Sequence, residues 1–169
     1  MCEKTRLLDL IRNFIIFDAG IKKVPRQHQF DGVKATQERI RKQEGGVIWH
    51  TQGSGKSILM VLLAKWLLEY DPNARVLIVT DRDELDKQIS GVMQDTGVVS
   101  SNAPSPRITS RDKMIEKLKA TSPRLLCALI HKFDPADLKG PPPEAFGKFY
   151  VLIDECHRTQ GGNMNRQMK

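Results

Sequence analysis

His50-Thr51-Gln52-Gly53-Ser54-Gly55-Lys56-Ser57 is the stretch on which the reading of this chain turns. It follows the apolar run Val47-Ile48-Trp49. It opens a helical pattern from Ser57 to Tyr70, carried by Ile58, Leu59, Val61, Leu62, Trp66 and Leu67. Strand, glycine-rich turn and helix, in that order, are the setting of a phosphate-binding loop. Each residue type has a physical reason. Phosphate oxygens need several N–H donors at close range, and glycine lets the backbone curl towards them with no Cβ in the way. Successive N–H groups then form an anion nest, to which the helix start adds its positive dipole end. Lys56 supplies a point charge for the β- and γ-phosphates, and the Ser57 hydroxyl suits Mg²⁺. His50 stands where the general Gly-x-x-x-x-Gly-Lys-Ser form has its first glycine.

Around the loop the chain alternates. Apolar runs at Val47–Trp49, Val76–Val79, Leu125–Ile130 and Tyr150–Ile153 are separated by helical patterns. Those patterns cover residues 57–70, 81–93 and 110–120, the last with Ser110 as a candidate cap. Short, nearly all-apolar strands between helices predict an α/β fold with a mainly parallel sheet and helices on both faces. Upstream, residues 5–17 read as an amphipathic helix ended by Gly20. Residues 27–43 read as a second, more polar helix broken by Gly45-Gly46. Residues 94–106 and the Pro141-Pro142-Pro143 region read as loops. The tail Gly161–Asn165 has no period and is expected to be mobile.

A second chemical segment closes the fourth run. Val151-Leu152-Ile153 ends abruptly in Asp154-Glu155. Open α/β sheets place catalytic groups at the carboxyl ends of their strands. There Asp154 can hold Mg²⁺, and Glu155 can polarise an attacking water. Paired with a loop of the Lys56 type, the acid pair points to nucleotide hydrolysis, with ATP and Mg²⁺ as cofactors.

Composition removes other classes. No apolar run approaches the roughly 20 residues of a membrane span, and the N-terminus lacks the features of a signal peptide. A cytoplasmic protein without a membrane partner is expected. Three cysteines, Cys2, Cys127 and Cys156, form no CxxC pair, so a disulfide framework or zinc site is not expected. The net charge of +7 favours polyanions. Aromatic residues, at 6%, leave little material for a base-stacking surface.

These motifs together resemble a family. HTQGSGKS (50–57) and DECH (154–157) are similar to motifs I and II of superfamily 2 helicases and translocases. More specifically, GGVIWHTQGSGKS (45–57), VLIVTDRDELDKQI (76–89) and LIDECHRTQGG (152–162) resemble the R subunit of type I restriction–modification enzymes. That resemblance runs from about residue 5 to about residue 162. In it, His and Thr before the Gly-x-Gly-Lys are ordinary, so His50 ceases to be a departure.

The resemblance implies a RecA-like P-loop NTPase lobe, a three-layer sandwich over 25–169, truncated before motif III, with 1–24 as a helical connecting segment. It implies phosphate contacts from Thr51, Gln52, Gly53, Ser54, Gly55, Lys56 and Ser57, and an adenine contact from Gln29 in Pro25-Arg26-Gln27-His28-Gln29. Lys56, Asp154 and Glu155 would be catalytic, with Mg²⁺ on Ser57 and Asp154. Arg82, in the motif Ia region, and Lys132, beside His131, would approach the DNA backbone. His157 and Gln160 would couple the nucleotide site to the rest of the motor. Double-stranded DNA and the methyltransferase and specificity subunits are the implied partners. A second lobe with its arginines and a preceding nuclease domain would belong to a longer subunit. Three alternatives remain: another superfamily 2 helicase or translocase, a P-loop phosphotransferase, and a non-catalytic binding module.

Overall fold

Strand β3 (Ala74–Thr80) is the axis of the molecule, and all seven of its residues are buried. The computed structural model describes residues 3–18, 20–80, 89, 91–92, 106–108, 110–129 and 145–154. Among these, β3 pairs in parallel with β4 (Leu125–Leu129) on one side and β5 (Lys148–Ile153) on the other. The sheet order is therefore β4-β3-β5. Register sorts the side chains into two faces. Val76 lies opposite Leu125 and Tyr150, and Ile78 opposite Cys127 and Leu152. These six pack towards helix α3 (Lys56–Tyr70). Leu77, Val79, Leu126, Ala128, Phe149 and Ile153 join the opposite cluster, with Met114 and Leu118 of helix α4 (Arg111–Lys119). The period-two pleat places a helix on each face, and the result is the expected three-layer α/β sandwich.

Helix α3 is apolar nearly all round because it is enclosed. One side lies on β3 and another on helix α2 (Gln27–Arg41). Close approach of α2 and α3 depends on Gly32. A Cβ there would come within 3.1 Å of Leu59 Cδ1 and 3.5 Å of the His50 ring. Helix α4 begins as expected at Ser110, whose hydroxyl accepts from Lys113 N at 3.5 Å.

Two expectations need correction. The amphipathic helix predicted over 5–17 ends at Asn13: α1 is Lys4–Asn13. The chain then forms an antiparallel hairpin of β1 (Ile16–Asp18) and β2 (Ile21–Lys23), with Gly20 at φ +77°. β-Branched and aromatic residues favour the extended chain here. Phe14 and Ile16 gain burial in the α2–α3 core, where Phe14 meets Phe30 at 4.6 Å between centroids.

The second correction is Val47–Trp49, which is not a strand among the described residues. Trp49 is 85% exposed and Val47 67%. After α2 the chain turns through Gln43 at φ +59° and is held to that helix, Arg39 Nε donating to Gly45 O at 2.9 Å. A three-residue run offers few ladder hydrogen bonds against that anchoring. Correspondingly, β5 is only partly covered, with Val151 half-exposed.

One buried cation organises the end of the sheet remote from the glycine loop. Arg75, 2% exposed, donates to the carbonyls of Leu118 (2.8 Å), Lys117 (2.6 Å), Phe146 (3.0 Å) and Pro123 (3.3 Å). Its guanidinium also lies 4.6 Å from the Phe149 ring centroid. It ties the carboxyl end of α4 to the approaches of β4 and β5.

Candidate nucleotide site

The glycine loop sits at the N-terminus of α3, as its residues require. Gly53 and Gly55 have φ of +75° and +80°, a region that glycine enters without steric cost. Gly55 caps α3, with no side-chain cap and no acid in the first turn. No acceptor among the described residues meets the N–H groups of Gly55, Lys56 and Ser57. These are the unsatisfied donors of a helix start, and nothing in the loop competes with an anion for them. Thr51 and Gln52 are exposed, and Ser54 N donates to Thr51 O at 3.3 Å to close the turn. Lys56 and Ser57 are half-buried, and Lys56 has no ion-pair partner among the described residues. Ser54 is buried, and its hydroxyl has no hydrogen-bond partner among the described residues.

The loop is held from behind by α2. Gln29, 2% exposed, donates Nε2 to Ser54 O at 2.9 Å and to Gly55 O at 3.0 Å. Its Oε1 accepts from Arg26 N at 2.7 Å, so both ends of the amide are engaged within the chain. A Cβ on Gly55 would collide with Gln29 Nε2. His28 Nε2 reaches the same Ser54 carbonyl at 3.0 Å. Since that oxygen accepts, His28 carries its proton on Nε2. The His28 and His50 rings meet edge to face, 5.0 Å between centroids. Burial, then the neighbouring His28 and Lys56 charges, push the His50 pKa below its usual 6.5.

Asp154 follows β5 directly, and its N–H donates to Val79 O at 2.9 Å. It therefore lies at the carboxyl edge of the sheet, beside the end of β3. The short turn from Tyr70 to Ala74 reverses the chain, so α3 runs back along β3. The helix and the strand span similar lengths, about 22 Å each from their rises per residue. The start of α3, with Lys56 and Ser57, thus shares that edge with Asp154. Glu155, Arg82, Lys132, His131, His157 and Gln160 lie outside the described residues.

Sequence alone assigns His28 no role. Its signal was adjacency to Gln29, but the contact with Ser54 spans 26 positions and no local pattern announces it.

The residues fit a polyphosphate: free N–H donors at a helix start, an unopposed lysine, glycines at positive φ, and an orphaned buried hydroxyl. The Ser57 hydroxyl and Asp154 carboxylate are the hard oxygen donors that Mg²⁺ prefers.

Comparison with known proteins agrees. Residues 28–169 match the family model described as SWI2/SNF2 ATPase. The chain is 32% identical, over 92% of its length, to the type I restriction enzyme HindI endonuclease subunit of Haemophilus influenzae. It is 31% identical, over 96%, to the putative type I restriction enzyme MjaVIIIP endonuclease subunit of Methanocaldococcus jannaschii. It spans 16% and 19% of the lengths of those two relatives. The fold is similar to that of the UvsW helicase from bacteriophage T4, with a TM-score of 0.66 and 18% identity. That alignment covers 98% of this chain and 55% of the helicase. The resemblance carried by residues 45–57, 76–89 and 152–162 is thus found along nearly the whole chain, which belongs to the SWI2/SNF2 ATPase family.

Proposed function

We propose that this chain is the ATP-binding lobe of the motor in a type I restriction enzyme subunit, where ATP hydrolysis drives movement along double-stranded DNA before cleavage. One observation carries the reading. A glycine loop offers uncommitted N–H groups and Lys56 at the head of α3, on the sheet edge that also bears Asp154. The similarity to type I endonuclease subunits supplies the restriction context.

Gly53, Ser54, Gly55, Lys56 and Ser57 would hold the phosphates, with Thr51 and Gln52 on the loop's outer side. Ser57 and Asp154 would hold Mg²⁺, which neutralises charge on the transferring phosphoryl group. Glu155 would orient and deprotonate the attacking water. Gln29 would donate to adenine only by giving up a bond to Ser54 or Gly55, while its Oε1 keeps a second lone pair beside the Arg26 N–H. Arg82 and Lys132 are proposed as DNA-backbone contacts. Methyltransferase and specificity subunits are the proposed partners, and the cytoplasm the proposed location.

The test is steady-state ATPase of the full-length protein with and without duplex DNA. Duplex DNA is expected to stimulate hydrolysis at least tenfold, and Lys56→Ala to abolish it. Hydrolysis indifferent to DNA, or stimulated by a small phosphoryl acceptor instead, would overturn the reading in favour of a phosphotransferase.

A further inference from the structure

We propose that His28 is a positioning residue for the triphosphate, acting through the Ser54 carbonyl. The inference rests on the nucleotide-binding reading above and concerns a residue that reading does not use. A trans peptide is planar, so the C=O of Ser54 and the N–H of Gly55 belong to one rigid unit and point in opposite directions. Whatever holds that carbonyl aims that N–H. His28 Nε2 and Gln29 Nε2 both donate to it, at 3.0 and 2.9 Å, from the α2 side. The Gly55 N–H is thereby turned away from α2, towards the open side of the loop, where it has no acceptor among the described residues.

Positive φ at Gly53 and Gly55 makes this loop one that could otherwise turn its peptides over, since glycine has no Cβ to forbid it. Two donors on one carbonyl remove that freedom before the ligand arrives. Prior ordering of this kind raises affinity by lowering the entropy lost on binding. The His28 ring is itself placed by the edge-to-face contact with His50, which packs against Gly32. His50, at the position of the motif's usual first glycine, thus buttresses the residue that orients the motif's last one. The His50 Nδ1 is buried and has no hydrogen-bond partner among the described residues, which suits a ring present for its shape.

This role makes demands a merely structural role would not. It needs a donor at the reach of Nε2, not an aromatic ring. It acts on phosphate contacts, so it is blind to the base. The test titrates the full chain with a fluorescent ATP analogue and Mg²⁺, using wild type, His28→Phe, His28→Gln and Lys56→Ala. Competition with inorganic triphosphate runs in parallel. His28→Phe keeps the ring and loses the donor; affinity should fall about tenfold, the scale of one net hydrogen bond. His28→Gln places an amide nitrogen at similar reach and should recover to within about threefold of wild type. Inorganic triphosphate should show the same fold loss as ATP. Thermal unfolding without nucleotide checks that the variants are folded. If His28→Phe is not, His28→Asn replaces it, since its amide is too short to reach Ser54 O.

Wild-type affinity in the donor-less variant, no recovery with Gln, or a loss confined to ATP would each overturn the proposal while Lys56→Ala still abolishes binding. Unchanged binding in Lys56→Ala would instead remove the nucleotide reading itself, and this inference with it.

Discussion

The buried junction at Arg75 and the support behind the glycine loop both gather backbone carbonyls onto side-chain donors, and they do it differently. At the remote end of the sheet a single buried cation, Arg75, collects four carbonyls from α4 and the approaches of β4 and β5. At the glycine loop two side chains of α2, His28 and Gln29, share the carbonyls of Ser54 and Gly55. The first junction joins segments far apart in sequence, and a fixed charge suits a contact that never has to open. The second lies behind a loop that must present N–H groups and Lys56 to an anion. Donors placed behind the loop hold its shape, while Lys56 and the start of α3 face the anion.

The contrast predicts separable failures. The largest belongs to Arg75. Arg75→Met takes a donor from four carbonyls, of which Leu118 O keeps the Phe146 N–H, and hydrogen bonds to charged groups contribute about 1.5–3 kcal/mol each. A loss of roughly 4 kcal/mol is expected even after partial relaxation, read as the shift in urea midpoint at constant slope. Arg75→Lys should recover only a minor part, because an ammonium cannot span four acceptors as a guanidinium does. A loss under 1 kcal/mol would mean that the junction is held by apolar packing around Phe149 instead. Lys56→Ala is the mirror case. Stability should change by less than about 0.5 kcal/mol, as for a side chain without a partner. ATP affinity should fall by at least about a hundredfold, the worth of charge-assisted phosphate bonds.

Glycine substitutions sharpen the second half of the comparison. Gly53→Ala meets no atom within 4 Å but sits at φ +75°, so its cost is torsional, about 1 kcal/mol. Gly55→Ala bears the same torsional cost and also drives its Cβ into Gln29 Nε2. The Gly55 variant should therefore lose more ATP affinity than the Gly53 variant. Adding Gln29→Ala to Gly55→Ala should do less harm than the sum of the single changes, since the collision is already relieved. Strict additivity in that double-mutant cycle would show that Gln29 does not constrain the loop.

How much of this was visible beforehand follows from where the information sits. The loop reads directly, because Gly53, Gly55, Lys56 and Ser57 do their work through their own chemistry between a turn and a helix. The parallel sheet reads from Val76–Val79 and Leu125–Leu129, whose wholly apolar makeup, β-branched at Val76, Ile78 and Val79, leaves no solvent face. Residues 14–17 read as the end of a helix because Phe14, Ile15, Ile16 and Phe17 satisfy a helical stripe as well as they do a strand. Only the burial of Phe14 against Phe30 decides between them. Val47–Trp49 resembled a buried strand because composition cannot report whether a neighbour is present to pair with. His28 and Arg75 were invisible as holders because their partners are backbone atoms at positions 54, 117, 118, 123 and 146. A carbonyl carries no residue identity to recognise.

The smallest expected effect separates His50, beside the loop, from Asp9 on α1 by pH. His50, beside the loop, has its pKa lowered below 6.5, chiefly by burial and then by repulsion from His28 and Lys56. The unfolded chain then binds more protons at this site than the folded one, so stability rises with pH through that window. Acidification from pH 7 towards 5 should weaken the fold, and His50→Phe should flatten that slope. Asp9 acts lower on the scale. Burial alone would raise its pKa, but hydrogen bonds from Asn13 and Lys34 and the Lys34 charge bring it below 3.8. Its stabilising share is present above that value and lost as pH falls through its lowered pKa. Its pairing with Lys34, 2.9 Å away and partly exposed, contributes under about 1 kcal/mol and weakens in salt. Urea unfolding from pH 3 to 8 resolves the two windows. His50→Phe should change only the upper one and Asp9→Asn only the lower. An upper slope that persists in His50→Phe would assign it to another group, and the packing of His50 against His28 would then have no signature in stability.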